Sequence, residues 1–231
     1  MITCTEKKQK SWSYNELPTP QSENDCLEII KNNNNKILKW ISEDNWSLIE
    51  KRNNVILENK EEKDSDVNII RGNSIVKNIN IKKLAKVLFS PTFEERKILY
   101  DELLLNNIIE VNDKYNFNIT HSQFNGPMGI KKREFVTIKS CKKLENGGYL
   151  ISTNSINYKD IPFTKNFIRG INKSGVLLNP ILINGKQAVN IITIDKINPK
   201  GWIPSIVTNL FQSKIMDRLE HMNELYQKLF T

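Results

Sequence analysis

From Ile108 to Ile194 the chain is a succession of short segments in which apolar and polar residues alternate, broken by turn residues. So long a stretch of that pattern fits a meandering antiparallel sheet and little else. The segments are residues 108–111, 117–124, 133–139, 149–155, 167–171, 176–183 and 188–194, with hairpin-like joins at Asn146-Gly147-Gly148, Lys173-Ser174-Gly175 and Asn184-Gly185. Shorter strand candidates precede them around 46–50, at 55–57 and at 67–71, the last two separated by a charged turn at 60–66. Helical spacing occupies both ends of the chain and two tandem stretches at 81–89 and 93–105, the second opening on Thr92, Glu94 and Glu95. The first helix starts at Ser22, with Asp25 placed to complete a capping box. Its apolar side is Leu27, Ile30, Ile37, Leu38 and Ile41, and the run Asn32 to Asn35 is expected to weaken its middle. A curled sheet flanked by helices is an α+β protein.

Alternation also sorts side chains by face. Thr120, Ser122 and Phe124 share one face of their strand, with His121 opposite; Phe135, Thr137 and Lys139 share one face of theirs, with Val136 and Ile138 opposite. Polar and apolar residues mixed on one face suit either solvent or the wall of a partly polar cavity.

The last stretch, Asp195 to Thr231, closes the chain. Pro199, Gly201 and Pro204 end the final strand, and Pro204 suits a first helical position. Residues 204–230 contain no further Pro or Gly, so one helix of roughly 40 Å is expected. Phe211, Ile215, Leu219, Met222, Tyr226 and Leu229 form its apolar stripe; Asp217, Arg218, Glu220, Asn223, Glu224 and Lys228 lie opposite. Ile206, Val207 and Leu210 make its first two turns apolar nearly all round, which predicts deeper burial there. The pattern alone is compatible with a lid on a hollow sheet, but favours an ordinary helix on a solid core.

At 231 residues, 39% hydrophobic and 26% charged, the chain reads as one globular domain without a membrane span or secretory signal, and a cytoplasmic protein is expected. Cys4, Cys26 and Cys141 show no pairing pattern, and with only His121 and His221 beside them no metal centre or cofactor is expected. The net charge of +8 favours polyanions, either nucleic acid or an anionic membrane surface. No nucleic-acid motif organises the lysines, so nucleic acid is not expected as a partner. No triad ordering or phosphate-cradling glycine loop points to an enzyme, and no catalytic residue is assigned.

Several short motifs, in order, resemble the START domain, the StAR-related lipid-transfer family. They are Tyr100-Asp101 on the second internal helix, Ile119-Thr120-His121, Arg133-Glu134-Phe135-Val136 and Phe167-Ile168-Arg169-Gly170 with Gly175 and Pro180. The closing run Asp195, Lys200-Gly201, Ile203-Pro204 and Asn209 completes the set. The resemblance covers nearly the whole chain. It implies a helix-grip fold over residues 21–231, with 1–20 as an N-terminal extension: a curved antiparallel sheet around an internal lipid tunnel closed by the long C-terminal helix. It places a lid loop at 156–165, where Ile161, Pro162 and Phe163 would insert into a membrane and Lys159 and Lys165 would meet anionic headgroups. It gives Arg133, Arg169 and Asp101 structural roles, while strand parity, which sets His121 opposite Ser122, makes His121 a non-ligand residue.

The implied function is lipid binding and transfer by a monomer in transient, peripheral contact with anionic membranes. A lipid sensor, a sterol or ceramide carrier and a cavity enzyme are the alternatives. Sterol-binding members of the family pair a buried acid with an Arg at positions that are Ser122 and Lys139 here, so that pair is gone. Of the aromatic cage that takes choline in other members, only Phe135 remains, with His121 and Lys173 at the other positions. A phospholipid is therefore expected, with Lys139 near its phosphate, Ser122 and Thr137 donating hydrogen bonds, and Thr120, Phe124, Phe135, Phe211 and Ile215 lining the tunnel.

Overall fold

The computed structural model describes residues 17–63, 65, 67–126, 130–201, 205–221, 224, 226, 228 and 229, with only the backbone over 205–212. Helix α1 (Glu23–Ser42) is followed by β1 (Ser47–Arg52), β2 (Val55–Lys60) and β3 (Ile69–Lys77), then α2 (Ile81–Phe89) and α3 (Phe93–Leu99). Next come β4 (Leu103–Asn112), β5 (Phe117–Phe124), β6 (Lys132–Lys143), β7 (Tyr149–Ser155), β8 (Phe167–Arg169), β9 (Ile171–Ile183), β10 (Lys186–Asn198) and α4 (Ser205–Glu220). The strands form one sheet in the order β1-β2-β3-β10-β9-β7-β6-β5-β4, antiparallel throughout except for β8, which lies parallel beside β6.

Helices cover both faces. On the outer face α1 lays Cys26, Leu27 and Ile30 over Phe117, Ile119, Val136 and Ile138, and Ile37 and Trp40 over Ile69, Leu150, Leu177 and Ile194. On the inner face α2 and α4 bring Leu84, Ala85, Ile215, Met216 and Leu219 against Val55, Leu57, Val76, Ile151, Leu178, Val189 and Ile191.

The first helix starts where its capping box predicts: the Asp25 amide donates to Ser22 Oγ at 3.2 Å and the Ser22 amide to Asp25 Oδ2 at 3.0 Å. The asparagine run does not interrupt it. Asn33 faces the sheet and donates Nδ2–H to the Thr153 carbonyl at 3.2 Å, so the run serves as a polar contact between helix and sheet.

Three boundaries differ from expectation. Helix α3 stops at Leu99, and Tyr100-Asp101 form its cap and the following turn instead of lying on the helix. Leu103 and Leu105, expected to be helical, pair with Phe124 and Gln123, because strand pairing along β5 outweighs the helix propensity of a leucine run. Lys173-Ser174-Gly175 is not a hairpin turn but the interior of β9, paired with β7 and β10. Gly175 is needed there because a Cβ would come within 2.5 Å of Ile37 on α1.

The closing helix is described as a continuous element over 16 residues, about 24 Å. The side chains of Ile206, Val207, Leu210 and Phe211, and residues Ile203, Pro204 and Met222, lie outside the described residues. Beyond α4, Tyr226 is buried and its hydroxyl accepts the Asn80 amide at 3.0 Å. Among the described residues no helix is long and apolar enough to cross a membrane.

Candidate lipid-binding face

The register of β6 is set from the outside. Val136 and Ile138 are buried beneath α1, and a slip of one residue would turn both away from it, so parity sends Phe135, Thr137, Lys139 and Cys141 to the inner face. Strand pairing then aligns inner-face residues in transverse rows. Asn118, Lys139, Thr153, Ser174 and Asp195 stand side by side across β5, β6, β7, β9 and β10. One row further lie Thr120, Thr137 and Ser155, whose Oγ accepts the Asn172 amide at 2.8 Å. On the other side come Cys141, Ile151, Val176, Thr193, Gly72 and Leu57, followed by Tyr149, Leu178, Ile191 and Ser74. The inner face thus has a polar half and a mostly apolar half.

Lys139 is 9% exposed, and its Nζ donates to the Leu88 carbonyl at 3.2 Å, at the electronegative C-terminal end of α2. Asn118 secures the same end through Phe89 O at 3.3 Å, and Thr120 donates to Asn118 Oδ1 at 3.0 Å. No carboxylate among the described residues pairs with Lys139. Burial, and then the charge of Arg96, push its pKa down to about 7.

Arg96, on α3, is an inward-facing cation that the sequence reading missed. Its Nη1 donates to Ser122 Oγ at 2.7 Å and to Asn106 Oδ1, it forms no ion pair among the described residues, and burial lowers its pKa. Its guanidinium lies 5.7 Å from the ring centres of both Tyr100 and Phe124. Sequence spacing gave little signal: Arg96 lies three residues after Phe93 and four before Tyr100, but Phe93 is 38% exposed, so that spacing does not mark an inward-facing side of α3.

Ser122 is buried and accepts from Arg96, which leaves its hydroxyl proton available to donate. Thr137 and Thr120 are buried in the adjoining row. Phe124 stands edge-on between Tyr100 at 6.0 Å and Phe135 at 5.9 Å. Phe135 abuts Gly170, where a Cβ would come within 2.4 Å of its ring. Ile215 is buried in the α4–α2 cluster, whereas the Phe211 side chain lies outside the described residues. Arg218, assigned from sequence to the polar side of the helix, instead stacks on Tyr100 at 4.5 Å; across the sheet burial raises the Asp195 pKa, with Arg218 opposing the shift.

His121 and Lys173 do not occupy cage positions, because parity places both on the outer face. There His121 Nε2 meets Glu134 Oε2 at 2.9 Å, and Lys173 lies in the field of Lys36, Lys196 and Glu62. Glu134 also accepts from the Thr164 amide at 3.0 Å, from the Thr164 hydroxyl and from Arg169 Nε at 3.0 Å. Burial alone would raise its pKa, but Thr164, His121 and Arg169 prevail and hold it at about 2.

Arg169 continues to the Pro162 carbonyl at 2.9 Å and stacks on Phe163 at 4.8 Å, and so ties down loop 156–166. Of the loop residues expected to insert, Ile161 does not project: it is half-buried and packs against the α1 cluster, since its carbonyl and that of Pro162 are drawn in toward Arg169. Phe163 is 62% exposed, and Lys159 and Lys165 are exposed. Arg133 pins the β10–α4 junction through Pro199 O and Lys200 O, each at 3.0 Å, and Asp101 is an exposed partner of Lys214 at 3.2 Å.

A family model described as the START domain matches residues 96–229. Among solved structures, human StAR-related lipid transfer protein 5 superposes with a TM-score of 0.78 at 18% identity, covering 91% of this chain and 100% of its own. Human STARD10 gives 0.71 at 19%, covering 92% and 82%. The human StarD13 (DLC2) lipid transfer and protein localization domain gives 0.66 at 16%, covering 90% and 98%. At these identities the likeness establishes the helix-grip fold. Among curated proteins, none matches the chain.

Proposed function

Because the chain belongs to the START domain family, we propose that it is a lipid-binding and lipid-transfer protein that encloses one phospholipid between the inner face of its sheet and α4. The observation that carries the phospholipid reading is the pair of inward-facing cations, half-buried Arg96 and buried Lys139, neither with a carboxylate partner among the described residues. An unpaired buried ammonium costs several kcal/mol or gives up its proton, and a phosphate beside both groups removes that cost. Ser122 and Thr137 adjoin the cations as donors. Cys141, Val176 and Tyr149, half-buried at the edge of the α2–α4 cluster, offer the acyl chains a surface worth about 25 cal/mol for each Å² withdrawn from water.

A choline group is disfavoured. The rings that could cage it, Tyr100 and Phe124, already have the guanidinium groups of Arg96 and Arg218 against them. Phe163, flanked by Lys159 and Lys165, is the membrane-touching tip.

Native mass spectrometry of the purified chain tests the reading directly. An intact phospholipid at one per chain is expected, and vesicle loading should favour anionic headgroups over phosphatidylcholine. Cholesterol outcompeting every phospholipid in the same loading assay overturns it.

A further inference from the structure

Lys139 has a chemistry that phosphate binding does not use. Its partner among the described residues, the Leu88 carbonyl, can only accept a hydrogen bond, so no donor among them claims the lone pair of a neutral amine here. Arg96 spends Nη1 on Ser122 and Asn106 and leaves its Nε–H and Nη2–H donors without a partner among the described residues. A desolvated lysine beside a second cation is the arrangement that makes an amine nucleophilic near neutral pH. The groups facing it are compatible with that state. Arg96 comes from α3, the Leu88 carbonyl from α2, Asn118 from β5 and Thr153 from β7; Arg218 on α4 exerts its charge on Asp195, three strands away.

We propose that Lys139 is a covalent capture site for long-chain aldehydes, binding them reversibly as an imine with the hydrocarbon tail along the apolar rows of the inner face. The neutral Nζ attacks the carbonyl carbon, and the C=O π pair moves to oxygen, where the Arg96 donors that have no partner among the described residues would stabilise it. The amine proton passes to that oxygen to give a carbinolamine; its hydroxyl takes up a proton and leaves as water while the nitrogen lone pair forms the C=N bond, and the iminium then returns its remaining N–H proton to solvent. Amine and aldehyde become imine and water, with no oxidant or reductant consumed. In the row adjacent to Lys139, Cys141 and Val176 are half-buried and present apolar surface to a tail extending from the imine carbon, whereas Ile151 between them is already packed in the α2–α4 cluster. With burial and Arg96 holding the Lys139 pKa at about 7, roughly a thousandfold more of it is neutral at pH 7 than of an exposed lysine. The proposal rests on the inner face enclosing a lipid, though not on the headgroup.

The test incubates the full chain with hexadecanal, quenches at intervals with sodium borohydride, and maps the reduced adduct by peptide mass spectrometry. One dominant adduct on Lys139 is expected at pH 7.5, with its initial rate falling roughly tenfold by pH 6. It should be suppressed by hexadecanol, which has the same chain and no carbonyl, and be absent from Lys139→Arg. If that variant does not fold, the pH profile of the native Lys139 peptide decides. Labelling spread over exposed lysines such as Lys131, Lys132, Lys159 and Lys165 at comparable rates overturns the proposal, as does a Lys139 rate that keeps rising toward pH 10. Hexadecanol that binds while hexadecanal is never trapped defeats the imine alone; hexadecanol that does not bind removes the lipid-enclosing reading beneath it.

Discussion

Glu134 and Lys139 lie five residues apart on the same strand, both buried and both charged groups, and the chain treats them in opposite ways. Glu134 faces outward and is surrounded by partners: His121 from β5, Thr164 from the loop and Arg169 from β8. Lys139 faces inward and is given a helix-end carbonyl and a second cation. The outer cluster joins three elements and leaves nothing for a ligand to supply. The inner one, with no carboxylate among the described residues, is destabilising by itself, and the proposed phospholipid phosphate would relieve that cost.

The sharpest way to break this contrast is to remove each centre. Glu134→Ala leaves the Arg169 guanidinium buried without its carboxylate and should cost about 3–5 kcal/mol, read as a fall in the urea midpoint. The native contribution should also fade in acid. With the folded pKa held at about 2, below its ordinary value of 4.5, it is fully present above pH 4.5 and disappears as the pH falls through 2. A loss under 1 kcal/mol would mean that the outer cluster is ornamental.

Lys139→Met should act with the opposite sign. Removing the buried ammonium is expected to stabilise the ligand-free chain by about 1–4 kcal/mol while lowering phospholipid uptake. The pH dependence follows from a lysine depressed to about 7 from 10.5: the folded state binds fewer protons than the unfolded state between these values, so native stability rises with pH across that window. The advantage of Met is therefore largest below pH 7 and vanishes above 10.5. A Met variant less stable than the native chain at pH 6 would place Lys139 with Glu134 as a structural charge.

Much of this was legible in the sequence, and the misses have physical reasons. Strand parity put Lys139 inside and His121 outside, because the period of two is rigid. Parity applied equally to Lys173 would have put it outside, had Lys173-Ser174-Gly175 not read as a turn; the glycine is there for the passage of α1, a contact between distant segments. The end of α3 was hidden because Leu103-Leu104-Leu105 reads as helix until β5 is there to pair with it. Arg96 was overlooked because a cation on a short amphipathic helix is ordinarily solvated, and only the fold shows that the side facing inward includes it.

A smaller effect probes the junction between the two regions. Gly170 donates its amide to the Glu134 carbonyl at 2.8 Å while its α-carbon abuts the Phe135 ring. Gly170→Ala forces Phe135 to move and should cost about 1–3 kcal/mol. Because Phe135 is on the inner face, lipid loading should drop while the acid limb set by Glu134 stays where it was. An acid limb that moves with loading would show the two regions to be one coupled network.

The least effect on stability belongs to the tip of loop 156–166, where the contrast recurs within three residues. The loop is fastened at its base by Thr164 to Glu134 and by Pro162 to Arg169, Ile161 is packed inward, and Phe163 projects. Ile161→Ser should therefore lower the unfolding midpoint, by analogy with other large-to-small core changes, whereas Phe163→Ser should leave it within about 0.5 kcal/mol, because the ring is 62% exposed. Membrane binding should sort the two the other way. Phe163→Ser and Lys159→Glu are each expected to weaken sedimentation with anionic vesicles, the charge change by about 1 kcal/mol or more, and added salt should erode the Lys159 contribution and spare that of Phe163. Vesicle binding that is lost with Ile161→Ser but retained with Phe163→Ser would assign the contact to the packed side of the loop and reverse which of its residues meets the bilayer.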